Sequence, residues 1–402
     1  MRRCSNSSAF SVNRRAASRG EVQGAMRIAL VAGEPSGDDL GAGLIRALAE
    51  RYPQARFEGI GGQHMRAAGL RSHYPLEDLS VMGLVEVIRH LPRLLHIRSA
   101  LRRRWLADPP DAFVGIDAPD FNLGLAGALR SAGIPTVQYV SPTVWAWRAG
   151  RLRKIRRSVD RVLCIYPFEH AFYAEQDMDS RFVGHPLADE IPLEVDTEAA
   201  RRALELTPRQ RLVALLPGSR QSEVERLLPL CLEVASRLAA AHSDLVFGIP
   251  AATPSLEARI RAMLERSPTL PVRVTTGGAR DMLAAADTAL VASGTATLEA
   301  MLLGCPAVMA YRVNWLTAAL ARRTVRIPYF AMPNLMAGEM IMPEFVQEQA
   351  TADRITPVLG ELLQDPTQRA RIREHFAMLH ATLRRDASQE AAAAIAELLG
   401  HD

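Results

Sequence analysis

Familiar nucleotide signatures are missing from this 402-residue chain. No Gly-x-x-x-x-Gly-Lys-Ser/Thr run occurs, which removes a P-loop nucleotide hydrolase. The first glycine-rich stretch, Gly33-Glu34-Pro35-Ser36-Gly37, lacks dinucleotide-fingerprint spacing. The next apolar run, 56–60, ends in Gly61-Gly62 where a ribose-binding acid belongs, so a nicotinamide oxidoreductase is disfavoured. No apolar stretch reaches the roughly 18 residues that a membrane-spanning helix needs. The four cysteines, at 4, 164, 231 and 305, show neither metal-ligand nor disulfide-framework spacing and fit a reducing cytoplasm. No Asp-x-Asp pair lies near the glycine-rich loops, and neither a metal nor a cofactor is expected.

What is present has the balance of a soluble globular protein, 48% apolar and 23% charged, with material for two or three domains. The formal net charge of +4 invites a nucleic-acid reading. It comes entirely from Arg2, Arg3, Arg14, Arg15 and Arg19 set against Glu21, and the neutral body from Met26 onward argues against nucleic-acid affinity. Residues 1–25 lack the apolar core of a secretory signal, although their composition faintly resembles a transit peptide. They are expected to be a disordered extension ahead of Met26.

From there, short apolar runs alternate with amphipathic segments to about residue 310. Strands are expected at 28–32, 56–60, 112–116, 136–140 and 161–165, then at 211–216, 244–249, 271–275, 288–292 and 306–310. Such alternation predicts an α/β protein with parallel sheets. The pattern restarts at Leu212 after the Pro- and acid-containing stretch 186–208, which implies two Rossmann-like domains facing a cleft. The expected divisions are 26–190, 191–345 and a strandless helical segment, 346–402.

Loops at the carboxyl ends of parallel strands are where ligands bind. In the first domain, RIALVAGEPSGDDLGAGLIRAL (27–48) reads as strand, glycine loop and helix, and its loop carries Glu34, Ser36, Gly37 and Asp38. Ser36 or Asp38 can equally cap the helix. FVGIDAPDFN (113–122) ends a strand in Asp117, while Asp120 most simply caps the following helix. In the second domain, LLPGSRQSEVERLLP (215–229) turns through Gly218-Ser219 into a helix, whose N–H groups and dipole suit an anion that Arg220 can grip. Pairing of Arg220 with Glu223 or Glu225 is the structural alternative. ALVASGTATLEAMLLGCP (289–306) repeats the strand and small-residue turn with Ser293, Gly294 and Thr295. Glu299, one helical turn on, can accept hydrogen bonds from vicinal hydroxyls while the helix terminus holds a phosphate, a nucleotide-binding arrangement. Capping by Ser293 or Thr295 is the plainer alternative.

Residues 79–106, LSVMGLVEVIRHLPRLLHIRSALRRRWL, interleave aliphatics with Arg89, Arg93, Arg98, Arg102, Arg103 and Arg104. A solvated helix with its apolar face in the core explains this, and so does contact with a membrane surface or lipid substrate. Trp145, Trp147 and the arginines of 148–157 can reinforce such a surface.

Taken in order from Ile28 to Gly338, the segments IALVAGEPSGDDLGAGLIRAL, VMGLVEV, FVGIDAPDFN, YVSPTVWAWR, FVGHPLAD, LLPGSR, ASGTATLE and PNLMAG resemble the lipid-A-disaccharide synthases, bacterial glycosyltransferases of the GT-B class. The resemblance implies C-terminal helices that cross back to the first domain. It also implies transfer of a diacylglucosamine unit from UDP-diacylglucosamine to diacylglucosamine 1-phosphate, giving a β-1,6-linked disaccharide 1-phosphate and UDP at the cytoplasmic face of the inner membrane. Glu34, Asp117, Arg220 and Asn334 fall on positions that the family uses for activity. Asp117 leads as general base, with Glu34, Asp38 and His185 as alternatives. The N-terminal extension has no counterpart, and oligomeric state stays open, a homodimer included. Another UDP-sugar enzyme on the same fold, or a non-catalytic surface-binding module, competes with this reading. The aliphatics of 79–106 speak against the first, and two anion-suited helix termini with Glu299 speak against the second.

Overall fold

The computed structural model describes residues 25–79, 84–147, 149–265, 269–314 and 327–400, with the backbone alone at 84–89, 146, 147 and 149. The expected N-terminal extension, residues 80–83 and Arg148 therefore lie outside the described residues.

Strand β1 (Arg27–Ala32) shows why the first domain forms. Its side chains alternate between two cores. Ile28, Leu30 and Ala32 pack with Leu44, Ile45 and Leu48 of the helix Pro35–Arg51, while Ala29 and Val31 pack with Ile97, Trp105 and Leu125 on the opposite face. A strand buried on both faces must be aliphatic throughout, and each fully buried Leu, Ile or Val contributes about 1.5–3 kcal/mol. Around it stand β2 (Arg56–Ile60), β3 (Leu70–Tyr74), β4 (Ala112–Ile116), β5 (Thr136–Tyr139), β6 (Arg161–Cys164) and β7 (Ser180–Phe182). The sheet is parallel, in the order β3-β2-β1-β4-β5-β6-β7.

The second domain repeats the plan with β8 (Arg211–Leu216), β9 (Leu245–Ala251), β10 (Val272–Thr276), β11 (Thr288–Ala292), β12 (Ala307–Tyr311) and β13 (Glu344–Val346). Its parallel order is β10-β9-β8-β11-β12-β13. In both sheets the strand order reverses beside the first strand, between β1 and β4 and between β8 and β11. Those two switch points are where such sheets open a crevice for ligands.

Helices Ala352–Gln364 and Pro366–Leu383 bury Ile355, Leu359 and Phe376 in the second core. The last helix, Ala387–Leu399, then returns to the first domain, where Ala391, Ala392, Ala394 and Ile395 join its core. The crossing is pinned by Asp189, whose carboxylate accepts the N–H groups of Arg385, Asp386 and Ala387 at 3.0, 2.9 and 2.7 Å. Beside it the His185 N–H donates to the Leu383 carbonyl at 2.9 Å.

Three strands escaped the sequence. β3 (LRSHY), β7 (SRF) and β13 (EFV) are short, and partial exposure removes the need for an apolar run. The expected linker 186–208 holds two helices, Pro186–Glu190 and Thr197–Ala203. The glycine loop is also shorter than expected, because the first helix begins at Pro35 and takes in Gly37, Gly41 and Gly43. A side chain at Gly43 would run into the Ser388 Oγ of the returning helix, so this glycine serves helix packing.

Candidate active site

On the first domain, the loops after β1 and β4 touch. A Cβ at Gly33 would come within 2.2 Å of the Ala118 Cβ, so only glycine lets the strand ends converge. Asp117 and Ala118 both adopt left-handed backbone, φ 51° and 40°. Non-glycine residues are held in that region only where the surroundings impose it. Here the imposing bonds are all to the Asp117 backbone. Its N–H donates to the Tyr139 carbonyl at 2.9 Å, and its carbonyl accepts from Asn122 Nδ2 at 2.9 Å and Gln138 Nε2 at 3.0 Å. The main chain is fixed and the carboxylate is left aimed from the strand end.

Burial raises the Asp117 carboxyl above the usual aspartate range, against one hydrogen bond from the Ala118 N–H that lowers it. Glu34 is exposed at its tip, but the cleft walls still strip hydration from it and raise it too. The nearby Asp117 charge adds to that rise, and Arg220 of the second domain opposes it. At Asp117 burial is the cause of the rise, whereas at Glu34 the neighbouring Asp117 charge adds to it.

On the second domain, a cavity of about 420 Å³ spans the β8–β11 switch point. Arg220, Ser293, Gly294, Thr295 and Glu299 all line it, with Glu223, Pro250 and Gly277. Gly294 caps the helix Thr295–Leu302 through backbone alone, so neither Ser293 nor Thr295 is its cap. Glu299 Oε1 accepts from Arg280 Nε at 3.2 Å, and Arg280 also holds Glu190 at 3.2 Å. Arg220 pairs with Glu223 at 3.1 Å, the structural alternative raised by the sequence.

Comparison with known proteins decides the family. The lipid-A-disaccharide synthetase family model matches residues 28–398. A lipid-A-disaccharide synthase from Alkalilimnicola ehrlichii is 53% identical over 378 residues, covering 93% of this chain and 99% of that protein. The chain belongs to the lipid-A-disaccharide synthase family. It is thus a glycosyltransferase of lipid A biosynthesis. A synthase from Burkholderia mallei is 46% identical over 375 residues, covering 93% and 97% of the two chains. Among solved structures, UDP-GlcNAc 2-epimerase from Neisseria meningitidis bound to UDP-GlcNAc shares the fold, with a TM-score of 0.61 at 13% identity over 94% of this chain and all of that one. The glycotransferase of kitacinnamycin does likewise, at 0.60 and 19%, covering 93% and 99%. Both have the two-domain GT-B architecture seen here.

Within this synthase fold, two expected site residues are fully engaged by the protein's own groups. Asp38 is buried, and its carboxylate accepts the N–H groups of Gly62, His64 and Met65 at 2.7, 2.9 and 3.0 Å. It caps the neighbouring helix Gln63–Ala67 instead of facing the cleft or capping its own. Asn334 is wholly buried. Its amide donates to Met342 O and Glu344 Oε1 at 2.6 and 2.8 Å, and its oxygen accepts the N–H groups of Ile341 and Met342, both at 2.8 Å. With every hydrogen-bonding position in use, Asn334 ties the helix Met332–Ala337 to the segment 341–344 that leads into β13. Asp120 is likewise no cap. It lies at the helix start with Arg151 at 2.7 Å. His185 is held neutral, its pKa pushed down to about 4 by burial, while its Nδ1 accepts the Leu187 N–H. With its lone pair engaged and its proton affinity lowered, it is a weaker base than Asp117. Ser36 and Gly37 lie in the first helical turn, below the earliest i→i−4 bond from Asp38 N–H to Glu34 O.

The helix Leu84–Ala107 has the buried face that the core reading expects, and part of its opposite side stays apolar and exposed. Ile97, Leu101 and Trp105 are buried in the first core, whereas Leu91 and Leu95 stay 46% and 45% exposed beside Arg93. No described helix is long and apolar enough to cross a membrane.

Proposed function

We propose that the protein moves a 2,3-diacylglucosamine unit from its UDP derivative to the 6-hydroxyl of 2,3-diacylglucosamine 1-phosphate, with inversion at the anomeric carbon. Residues 26–190 take the acceptor and 191–345 the UDP-sugar. The observation that supports this is a cavity at the second switch point lined by Arg220, Ser293, Gly294, Thr295 and Glu299, with Glu34 beside Asp117 at the first switch point close enough to sense the Arg220 charge. A carboxylate base on one side and a cation suited to a leaving diphosphate on the other fit transfer from a nucleotide sugar to a hydroxyl.

In the reaction the acceptor O6 attacks the anomeric carbon as the bond from that carbon to the diphosphate oxygen breaks. The O6 proton passes to Asp117, whose raised affinity for a proton makes it a better base than an exposed aspartate. Glu34 orients the acceptor, and its charge beside Asp117 favours the carboxylate's uptake of the proton. Arg220 and the N–H groups at Ser293, Gly294 and Thr295 stabilise the departing UDP, while Glu299 takes the ribose hydroxyls. Ser36 and Gly37 offer the first-turn N–H groups of their helix to the acceptor. No step calls for a divalent ion. Leu91, Leu95 and the arginines around them bring the enzyme to the cytoplasmic face of the inner membrane, where both lipid substrates reside.

Incubation with the two diacylated glucosamine substrates followed by mass spectrometry tests this. A disaccharide 1-phosphate and UDP in equal amounts are expected. Consumption of the UDP-sugar without a disaccharide would overturn it.

A further inference from the structure

The groups that suit the donor's diphosphate already hold an anion of the protein's own. Glu223 Oε2 accepts the Ser219 and Arg220 N–H groups at 3.1 and 3.3 Å, and its Oε1 accepts from Arg220 Nη1 at 3.1 Å. The same side chain lines the cavity that contains Ser293, Thr295 and Glu299. Gly218 is built around it. At φ +122° this residue favours glycine, and a Cβ there would lie 2.5 Å from both the Glu223 Cβ and its Oε2.

We propose that Glu223 is a further residue of the donor site, a resident carboxylate that occupies the place of a donor phosphate and is displaced when the nucleotide diphosphate binds. This rests on the assignment of UDP to the second-domain cavity. Two backbone donors and one guanidinium N–H converge on one side chain, and a phosphate oxygen pair has the same demand for donors. Both anions cannot use these donors at once. Binding therefore exchanges one charge-assisted set for another, and Glu223 lowers the affinity for phosphorylated ligands while leaving an uncharged nucleoside unaffected. The departing carboxylate also resets the site after turnover, returning to the donors as UDP leaves.

A purely structural cap makes a different forecast, because glutamine serves at this helix position as well as glutamate. Calorimetry with UDP and with uridine on the wild type, Glu223→Gln and Glu223→Ala separates the two. Charge-assisted hydrogen bonds are roughly twice as strong as neutral ones, so Glu223→Gln should bind UDP about tenfold more tightly, with uridine affinity and melting temperature unchanged. Glu223→Ala should tighten UDP too, at a lower melting temperature because the cap is lost. Unchanged or weaker UDP binding in both variants, or equal tightening for uridine, would overturn the inference. If the wild type binds UDP and the variants do not differ from it, this inference fails alone. If the wild type binds no UDP, the assignment of the cavity fails and takes the inference with it.

Discussion

Replacing Asp117 by asparagine removes a base while leaving every bond that holds its loop. The Asp117 N–H and carbonyl are anchored by Tyr139, Asn122 and Gln138 through main-chain atoms that the substitution does not touch. The Ala118 N–H can still donate to the amide oxygen, and asparagine tolerates the left-handed φ of 51° better than most residues. General base catalysis contributes about 10²–10⁴-fold, which corresponds to about 3–5 kcal/mol of barrier, so turnover should fall by that order. The stability change has a definite sign. Because burial raises the folded-state pKa, the protonated form is favoured. That contribution is complete below the ordinary aspartate pKa and is lost as pH rises through the raised one. At neutral pH the wild type therefore holds an ion in a site that disfavours it, and the neutral variant should melt at the same temperature or slightly higher. Steady-state kinetics across pH, thermal unfolding and UDP calorimetry give the three readouts. The wild-type kcat/KM should rise with pH through the Asp117 ionisation, and the variant should lack that limb. Near-normal turnover, or a loss of rate accompanied by a lower melting temperature and weaker UDP binding, would refute the assignment.

Other expectations follow from the opposite wall and the surface. Glu299→Ala should weaken UDP binding by more than tenfold in calorimetry, since truncating a buried hydrogen-bonded charge costs about 2–5 kcal/mol. Arg280 keeps Glu190 as a partner, so the fold should survive the change, and unchanged UDP affinity would sink the ribose assignment. Full activity should persist in EDTA, and a loss that magnesium restores would contradict a metal-free transfer. Association with anionic vesicles should weaken as salt rises, because arginines near such a surface contribute on the order of 1 kcal/mol each and that attraction is screened. Binding that ignores both salt and lipid charge would reduce the helix Leu84–Ala107 to a core element.

The strands legible in the sequence were those buried on both faces, such as β1 and β8, where the physics demands an unbroken aliphatic run. The edge strands β3, β7 and β13 were illegible because pairing along one edge and partial exposure leave their composition free. At the candidate site, strand-end loops nominated Glu34, Asp117 and Arg220 in the sequence, and the structure sets these loops at the two switch points, with Glu299 one helical turn beyond β11. Glu223 was visible in sequence only as a partner for Arg220. Its grip on two backbone N–H groups depends on a turn at Gly218 that no periodicity reveals. Gln138 and Asn122, which set the Asp117 backbone, left no signal, because a lone amide in a strand or helix has no pattern.

Hydrogen-bond engagement sorts the candidate residues of these loops. Asp38 and Asp117 both follow the carboxyl ends of parallel strands, β1 and β4, and position cannot tell them apart. Hydrogen-bond capacity can. Asp38 gives its carboxylate to three N–H groups and Asn334 gives its amide to four bonds, so each would have to break the fold to hold a substrate. Each broken bond that leaves a buried partner unsatisfied costs about 1–3 kcal/mol, a sum that a single substrate contact cannot offset. Asp117 is the reverse case, with its backbone bound and its carboxylate held by one N–H, that of Ala118. Glu223 lies between them. Its bonds are to donors at the rim of a cavity, and an incoming diphosphate can satisfy those same donors while the part-exposed carboxylate turns to water. A side chain whose partners a ligand can itself replace is compatible with a binding role even when all its hydrogen bonds are made within the protein.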